Sequence, residues 1–255
     1  MNKEELVNQL LDYFIHEDLR YKSIEIPQNY HEKRLLLIGL VNMRLPKDID
    51  DDILKLEDHL LSMELEEKKI IDALDIKPVL DKICIWQGDI TTLKVDAIVN
   101  AGNSSLLGCF VPNHSCIDNA IHTYAGIRLR LACNHVMKGS ELKVGRAIIT
   151  NAYNLPCRYV IHTVGPIVEQ NLTVKNIEDL KQCYISCLDL AREHHLKTIA
   201  FPCISTGLFH FPKNRASEIA VQTVRNYLSS YPNSFDKIIF NVYTLEDRNY
   251  YEQLF

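Results

Sequence analysis

The chain has 255 residues, of which 47% are hydrophobic and 24% charged, and its formal net charge is −5. This balance is that of a globular protein, and the negative charge argues against electrostatic capture of nucleic acid or of an anionic membrane surface, so that any bound phosphate must be held mainly by backbone amides. There is no signal-peptide pattern and no apolar run of about 20 residues, and the eight cysteines are scattered over predicted strands and helices, so we expect a cytoplasmic protein with reduced thiols that does not enter a membrane.

The first third of the chain is predicted to be helical. Leu6, Leu10 and Phe14 recur at helical spacing, a second periodic segment over 31–44 ends before Pro46, and the acidic run 50–52 opens a third helix. No cluster of chemically reactive side chains lies in this region. We therefore expect residues 1–76 to form a helical extension packed on a main domain of residues 77–255; an independent functional module is the alternative.

Strands and helices alternate from about residue 80 onward. Strands are predicted over 83–87, 95–101, 146–152, 158–164, 197–203 and 236–243, and helices over 117–137, 176–194 and 214–229, with a short helix at the C-terminus. Short apolar strands interleaved with helices predict an α/β sheet that is buried on both faces. The motifs GDIT, NAGNSS and CISTGLF each follow a predicted strand. Because such sheets bind ligands beyond the carboxyl ends of their strands, we expect these motifs at one edge.

The loop after the second strand carries the strongest chemical signal. Cys109, His114 and Cys116 lie within eight residues, and thiolate and imidazole groups at this spacing favour zinc. Three ligands leave a fourth position open for water or substrate, as in catalytic zinc sites. The alternative is a pair of buried thiols beside a surface histidine. Four further histidines are expected to be structural or at the surface: His122, His162, His194 and His195.

Four polar residues near the strand ends allow two interpretations each. Asp118 lies at a predicted helix start, where it could cap the helix or act as a base near the metal. Asp89 could accept a hydrogen bond from an exocyclic amine such as that of adenine, or cap the following turn. Asn100 and Asn103 could bind vicinal sugar hydroxyls or form an ordinary turn. Spacing alone does not decide among these roles.

The loop from Cys203 to Phe209 is predicted to bind phosphate. One glycine and two hydroxyl residues follow a strand, which is typical of a turn that exposes successive backbone N–H groups. A helix predicted to begin near Asn214 adds its positive end. The motif is neither a Walker A loop nor a GxGxxG fingerprint, so its specificity as a pattern is low.

Together these segments resemble the macrodomain family, which binds ADP-ribose. The resemblance covers roughly residues 80 to 255 and includes, in the family's order, GDIT, VDAIVNAGNSSLLG, DNAIHTYAG, YVIHTVGP and PCISTGLF. It implies a three-layer α/β/α sandwich around a mixed six-stranded sheet, here preceded by the all-helical extension.

One departure from the general family pattern refines this resemblance. Most hydrolytic macrodomains carry a run of glycines where this chain has the segment from Gly108 to Cys116, and in this the chain is similar to zinc-dependent protein-ADP-ribose hydrolases of bacteria and fungi. The resemblance implies Zn²⁺ as cofactor, a mono-ADP-ribosylated protein as substrate and ADP-ribose as product. It favours a modified acidic side chain with an ester-type linkage over other side chains. Some relatives resemble parts of a system that modifies lipoyl-carrying proteins, which makes such a carrier a candidate target.

The resemblance also implies roles for individual residues. Asp118 and Asn103 would be catalytic, with Asp118 orienting the attacking water or taking its proton. Ligand-binding residues would be Asp89 and Ile90 at the adenine, Asn100, Asn103, Ile117, Asp118 and Asn119 towards the distal ribose, and Ser205, Thr206, Gly207, Leu208 and Phe209 around the pyrophosphate. Zinc would be bound by Cys109, His114 and Cys116.

The sequence is also compatible with two other functions. A non-catalytic reader could bind ADP-ribose in the same cleft while the zinc only organises the loop, because one fold serves both roles. A zinc-stabilised interaction module that binds no nucleotide is a further alternative. Release of ADP-ribose from a modified protein distinguishes an enzyme from both.

Overall fold

The structure is a computed structural model that describes all 255 residues. Its N-terminal region contains three helices, α1 (Lys3–Glu17), α2 (Tyr30–Met43) and α3 (Asp51–Glu66). Their apolar faces meet in a core of their own, to which Leu6, Leu10, Leu37 and Leu60 contribute. The sequence predicts the three helices, and the helical spacing of their leucines places the helices against one another.

Nine strands and five helices follow in the rest of the chain. The strands are β1 (Ile71–Asp72), β2 (Pro78–Leu80), β3 (Ile83–Gln87), β4 (Leu93–Lys94), β5 (Ala97–Ala101), β6 (Ala147–Asn151), β7 (Tyr159–Thr163), β8 (Thr198–Phe201) and β9 (Lys237–Val242). The helices are α4 (Ile117–Ala125), α5 (Ile127–Met137), α6 (Val174–Glu193), α7 (Lys213–Ser230) and α8 (Leu245–Glu252). No helix combines the length and the hydropathy that a membrane span requires.

The main sheet is mixed and has seven strands in the order β2-β3-β9-β8-β5-β7-β6, while β1 and β4 form a separate parallel pair. The five central strands are parallel, and β2 and β6 run antiparallel at the two edges. The expectation of six strands is therefore wrong by one edge strand. The additional strand is β2, an exposed three-residue segment that begins with Pro78, which is too short to show alternation and which places its proline at a strand start, where sheets tolerate it.

Helices cover both faces of the sheet. Helices α6, α7 and α8 bury one face, and α4 and α5 bury the other. The N-terminal helices pack on the outside of α4 and α5, and Ile127 at the start of α5 belongs to their core. The extension therefore adds a further helical layer next to the loop that precedes α4.

The single helix expected over 117–137 is two helices, because the chain breaks at Gly126. Its φ of 89° lies in the left-handed region, and a Cβ there would come within 3.0 Å of Glu57 Oε2, so both conformation and space require glycine. The Glu57 carboxylate, from α3, accepts a hydrogen bond of 2.8 Å from the Ile127 backbone N–H. Helix α5 has no side-chain cap from its own segment, and α3 supplies one.

A second contact runs in the opposite direction between the same two regions. Arg130 of α5 donates from Nη1 to the carbonyl oxygens of Val41, at 2.7 Å, and Arg44, at 2.6 Å, at the end of α2. The Arg44 carbonyl at the C-cap of α2 accepts no backbone hydrogen bond, and the Val41 carbonyl accepts one, from the Arg44 N–H at 3.2 Å, so both have capacity for a further donor. The extension and the main domain thus each supply a hydrogen-bonding group that the end of the other's helix needs.

Candidate active site

The polar motifs meet at one edge of the sheet. Strands β3, β9, β8, β5 and β7 are all parallel, so their carboxyl ends point the same way. The GDIT segment leaves β3, the NAGNSS segment leaves β5 and the CISTGLF segment leaves β8. The three loops therefore lie along one edge of the sheet, and the space between them is the candidate groove, where their backbone and side-chain groups can contact one ligand.

The cysteine and histidine side chains of the loop before α4 are brought together. Cys109 Sγ lies 3.6 Å from His114 Nδ1, and the donor atoms of Cys109, His114 and Cys116 all lie within 4.8 Å of one another. Tetrahedral zinc, with usual zinc–sulfur and zinc–nitrogen bond lengths, separates a sulfur and a nitrogen ligand by about 3.6 Å. All three residues are half-buried. The donor set and its spacing therefore fit a zinc ion, and three protein ligands leave a fourth coordination position open.

Asn119 holds the segment from Gly108 to Cys116, the candidate metal loop, from the first turn of α4. Its side-chain Nδ2 donates to Val111 O at 3.1 Å and contacts Cys109 O at 3.5 Å, while its backbone N–H donates to Cys116 Sγ at 3.4 Å. Cys116 is the N-cap of α4. Because Asn119 is only 4% exposed, its amide is engaged within the loop rather than presented to the groove.

Asp118 lies beside this donor set with its carboxylate almost completely buried. Asn100 Nδ2 donates to Oδ1 at 2.8 Å, and Asn103 Nδ2 lies 3.4 Å from Oδ2. Burial raises the pKa of Asp118 to about 6, although the Asn100 hydrogen bond and the positive charge of Arg130 lower it. Cys116, not Asp118, caps the helix. A carboxylate with a pKa near neutrality suits general base catalysis.

A buried polar network lies beneath Asp118. Asn100 is completely buried, and its Nδ2 lies 3.2 Å from His162 Nδ1. The other ring nitrogen of His162 is 2.9 Å from Thr150 Oγ1, and burial lowers the pKa of His162 to about 3, so the ring is neutral. Sequence reasoning grouped His162 with structural or surface histidines and missed its link to Asn100; a histidine within the apolar strand segment YVIHT was the available signal.

A second group of possible metal ligands belongs to this network. Donor atoms of His122, Cys133 and His162 lie within 4.8 Å of one another, but all three residues are fully enclosed. Burial and the charge of Arg130 lower the pKa of His122, and the same positive charge would oppose a cation. We therefore interpret these residues as neutral structural groups under the groove, of which His162 also makes the hydrogen bonds of the network.

The loop after β8 has the features of an anion site. The backbone N–H groups of Gly207, Leu208 and Phe209 make no hydrogen bond within the chain, and Ser205 Oγ is buried without a partner. A Cβ on Gly207 would meet no atom within 4 Å, whereas a Cβ on Gly165 would overlap Ser205 Oγ. Unpaired, convergent N–H groups can bind phosphate without basic side chains.

Asp89 retains both of its possible roles. Its Oδ1 accepts hydrogen bonds from the Thr91 backbone N–H at 3.0 Å and from Thr91 Oγ1 at 2.7 Å, so it caps a short 3₁₀ helix. Its Oδ2 lies 3.9 Å from Lys68 Nζ and has capacity for a further donor. Ile90 is 2% exposed and packs in the core, so its backbone is what could meet a ligand.

Comparisons with known proteins agree with this fold. The Macro domain family matches residues 99–220. A protein-ADP-ribose hydrolase of Treponema medium is 45% identical over 251 residues, covering 96% of each chain, and one of Staphylococcus aureus (strain MSSA476) is 45% identical over 253 residues, covering 96% of this chain and 94% of the relative. The solved structure of the Trypanosoma brucei macrodomain in complex with ADP-ribose aligns with a TM-score of 0.68 at 26% identity, covering 89% of this chain and 96% of that chain.

Proposed function

Because this chain belongs to the macrodomain family, we propose that it is a zinc-dependent hydrolase that removes mono-ADP-ribose from modified protein side chains. Its relatives over nearly the whole length are protein-ADP-ribose hydrolases, which supports a hydrolase. The observation that carries the zinc proposal is the 3.6 Å approach of Cys109 Sγ and His114 Nδ1, with Cys116 beside them and Asp118 two residues further on.

The groove suits the parts of ADP-ribose in order. Asp89 Oδ2 would accept a hydrogen bond from the adenine amine. The unpaired N–H groups of Gly207, Leu208 and Phe209, together with Ser205 Oγ, would hold the pyrophosphate. The distal ribose would then lie between this loop and Asp118, where the modified side chain is attached.

The chemistry divides between an ion and the chain's own groups. A zinc ion bound by Cys109, His114 and Cys116 would supply Lewis acidity to a ribose hydroxyl or a water. Asp118 would orient the attacking water or take its proton, and Asn100 holds Asp118 in place through its 2.8 Å hydrogen bond. Holding the pyrophosphate in its loop fixes the reacting carbon against that water, which lowers the entropic part of the barrier.

For the substrate we propose a modified acidic side chain with an ester-type linkage, and a lipoyl-carrying protein as one candidate target. Both proposals rest on the resemblance of the metal loop to that of zinc-dependent relatives. Comparing release from glutamate-linked and serine-linked ADP-ribosylated peptides tests the linkage. Faster release from the serine linkage would contradict it.

The metal proposal is tested by Cys116→Ser. Serine keeps the N-cap of α4, since its hydroxyl can accept the Asn119 N–H, but it removes one thiolate ligand. We expect release of ADP-ribose from modified protein to fall by about 100-fold or more, because the ion is weakly held, while ADP-ribose binding by calorimetry persists. Removal of metal from the unsubstituted protein should have the same effect, and added Zn²⁺ should restore release.

Cys84→Ser is the matched control. Cys84 is buried away from the groove and donates from Sγ to Ile76 O at 3.6 Å, a contact that serine can also make. It should leave release unchanged. Full turnover by metal-free protein would contradict zinc dependence, and binding without release by zinc-loaded protein would identify a reader.

A further inference from the structure

We infer that Asn42 of α2 is a positioning residue for the metal loop, so that the N-terminal extension forms part of the metal site. The inference rests on the proposed zinc site. Asn42 is 1% exposed and lies in the last turn of α2. Its Oδ1 accepts a hydrogen bond of 3.0 Å from the Asn113 backbone N–H, and its Nδ2 donates to Thr123 Oγ1 at 3.1 Å. One buried amide therefore connects the extension, the metal loop and α4.

Helix α2 contacts the loop directly before a metal ligand. Asn113 immediately precedes His114 and has a φ of 53°, a left-handed conformation that asparagine adopts more readily than most residues. Asn113 Nδ2 also donates to Leu35 O at 3.2 Å. A Cβ on Gly39 would lie 3.4 Å from Asn113 Nδ2 and 3.5 Å from Pro112 Cβ, so the loop rests on the α2 surface. These contacts fix the backbone from which the His114 ring extends.

The second hydrogen bond of Asn42 extends the same network to the cysteines. Thr123 Oγ1 donates to Asn119 Oδ1 at 3.1 Å. The Asn119 amide in turn reaches the carbonyl oxygens of Val111 and Cys109, at 3.1 and 3.5 Å. A continuous chain of side-chain hydrogen bonds thus runs from α2 to the backbone on both sides of the loop.

This network affects metal affinity because it orders the loop before the ion binds. If the loop is free to move, the three donors must be brought together when the metal arrives, and the lost entropy weakens binding. Residues that orient metal ligands change affinity by about 10–100-fold when they are substituted. Asn42 contacts neither the phosphate loop nor Asp89, so nucleotide binding should depend on it little.

The test is Asn42→Ala in the full-length protein. Zn²⁺ affinity is measured by competition with a chromophoric chelator, and the geometry of the site by the absorption spectrum of Co²⁺ bound in place of zinc. We expect Zn²⁺ to bind about 10–100-fold more weakly, with altered Co²⁺ bands, while ADP-ribose affinity changes by less than about threefold and release recovers at saturating Zn²⁺.

Asp58→Ala is the matched control at the same interface. Asp58 of α3 binds Arg128 Nε at 2.8 Å and Asn154 Nδ2 at 2.8 Å but does not touch the metal loop. It should lower the melting temperature without changing Zn²⁺ affinity. Equal Zn²⁺ affinity of Asn42→Ala and unsubstituted protein would overturn the inference, as would an equal loss in Asp58→Ala. If the unsubstituted protein binds no Zn²⁺, the proposed function fails as well, so the two failures are distinguishable.

Discussion

The Asn100 side chain determines where the Asp118 carboxylate lies. Its Nδ2 makes the shorter of the two amide contacts to that carboxylate, 2.8 Å against 3.4 Å from Asn103. A hydrogen bond to a charged group contributes about 1.5–3 kcal/mol. We expect Asn100→Ala to lower the single-turnover rate of ADP-ribose release by roughly 10–100-fold, measured with a modified protein under zinc saturation.

Thr150→Val separates this effect from general damage to the buried network. Thr150 contacts His162, which in turn contacts Asn100, and valine has nearly the same shape as threonine. The variant should lose stability but retain most of the release rate. A rate for Asn100→Ala equal to that of the unsubstituted protein would show that Asp118 does not need this donor.

Some residues of the candidate site could be predicted from the sequence, and others could not. The cysteine and histidine spacing predicted a cluster, and the structure brings those side chains together, because short-range spacing within one loop limits where three side chains can go. Asn42 gave no such signal. Its contact with Asn113 joins residues 71 positions apart, and an asparagine in an amphipathic helix has no pattern that distinguishes it from a surface residue.

At the level of the elements, the contact between α3 and α5 buries the Glu57 carboxyl group and raises its pKa. Burial raises the pKa of Glu57 to about 7 from 4.5, with Asp58 acting in the same direction, while the Ile127 N–H, Arg34 and Arg130 lower it. The folded protein therefore holds the Glu57 proton more tightly than the unfolded chain. Stability from this group is complete below about pH 4.5, falls as pH rises, and stays reduced above about pH 7, by about 3 kcal/mol.

Glu57→Gln tests this dependence. Glutamine can still accept the Ile127 N–H but cannot ionise, so the variant should match the unsubstituted protein near pH 4.5. Near pH 8 it should be more stable, by up to about 3 kcal/mol, as measured by denaturant unfolding at both pH values. A stability difference that does not grow with pH would contradict the raised pKa.

Some elements of the fold can be predicted from their own sequence, and others cannot. The alternation of apolar strands and helices predicted the α/β class and the positions of six strands, because the pattern of apolar residues that indicates each element lies within the element's own sequence. The break at Gly126 was missed, since one glycine is tolerated in many helices and here the break coincides with a cap supplied from α3. Strand β2 was missed because its pairing with β3 depends on a neighbour rather than on its own pattern.

For the whole molecule, the charge distribution predicts how nucleotide binding responds to salt. The net charge is −5, and the proposed phosphate contacts are backbone N–H groups rather than lysine or arginine. Raising the salt concentration from about 0.1 M to about 1 M shortens the screening length from about 10 Å to about 3 Å. We expect the Kd for ADP-ribose, measured by calorimetry, to rise by less than about threefold. A tenfold weakening would instead indicate that basic side chains hold the pyrophosphate.

The hydrogen bonds by which the N-terminal extension and the main domain satisfy each other's helix ends have a consequence for the evolution of the sequence. Glu57 needs a glycine at 126 and the free N–H of Ile127, while Arg130 needs the last carbonyls of α2. A chimera that joined these N-terminal helices to a different sheet would carry the buried Glu57 carboxyl group and the carbonyls at the end of α2 without their partners. We therefore expect the sequences of the N-terminal extension and of the main domain to change together. Recombination between distant relatives near residue 76 should be selected against unless it transfers both sets of interacting residues.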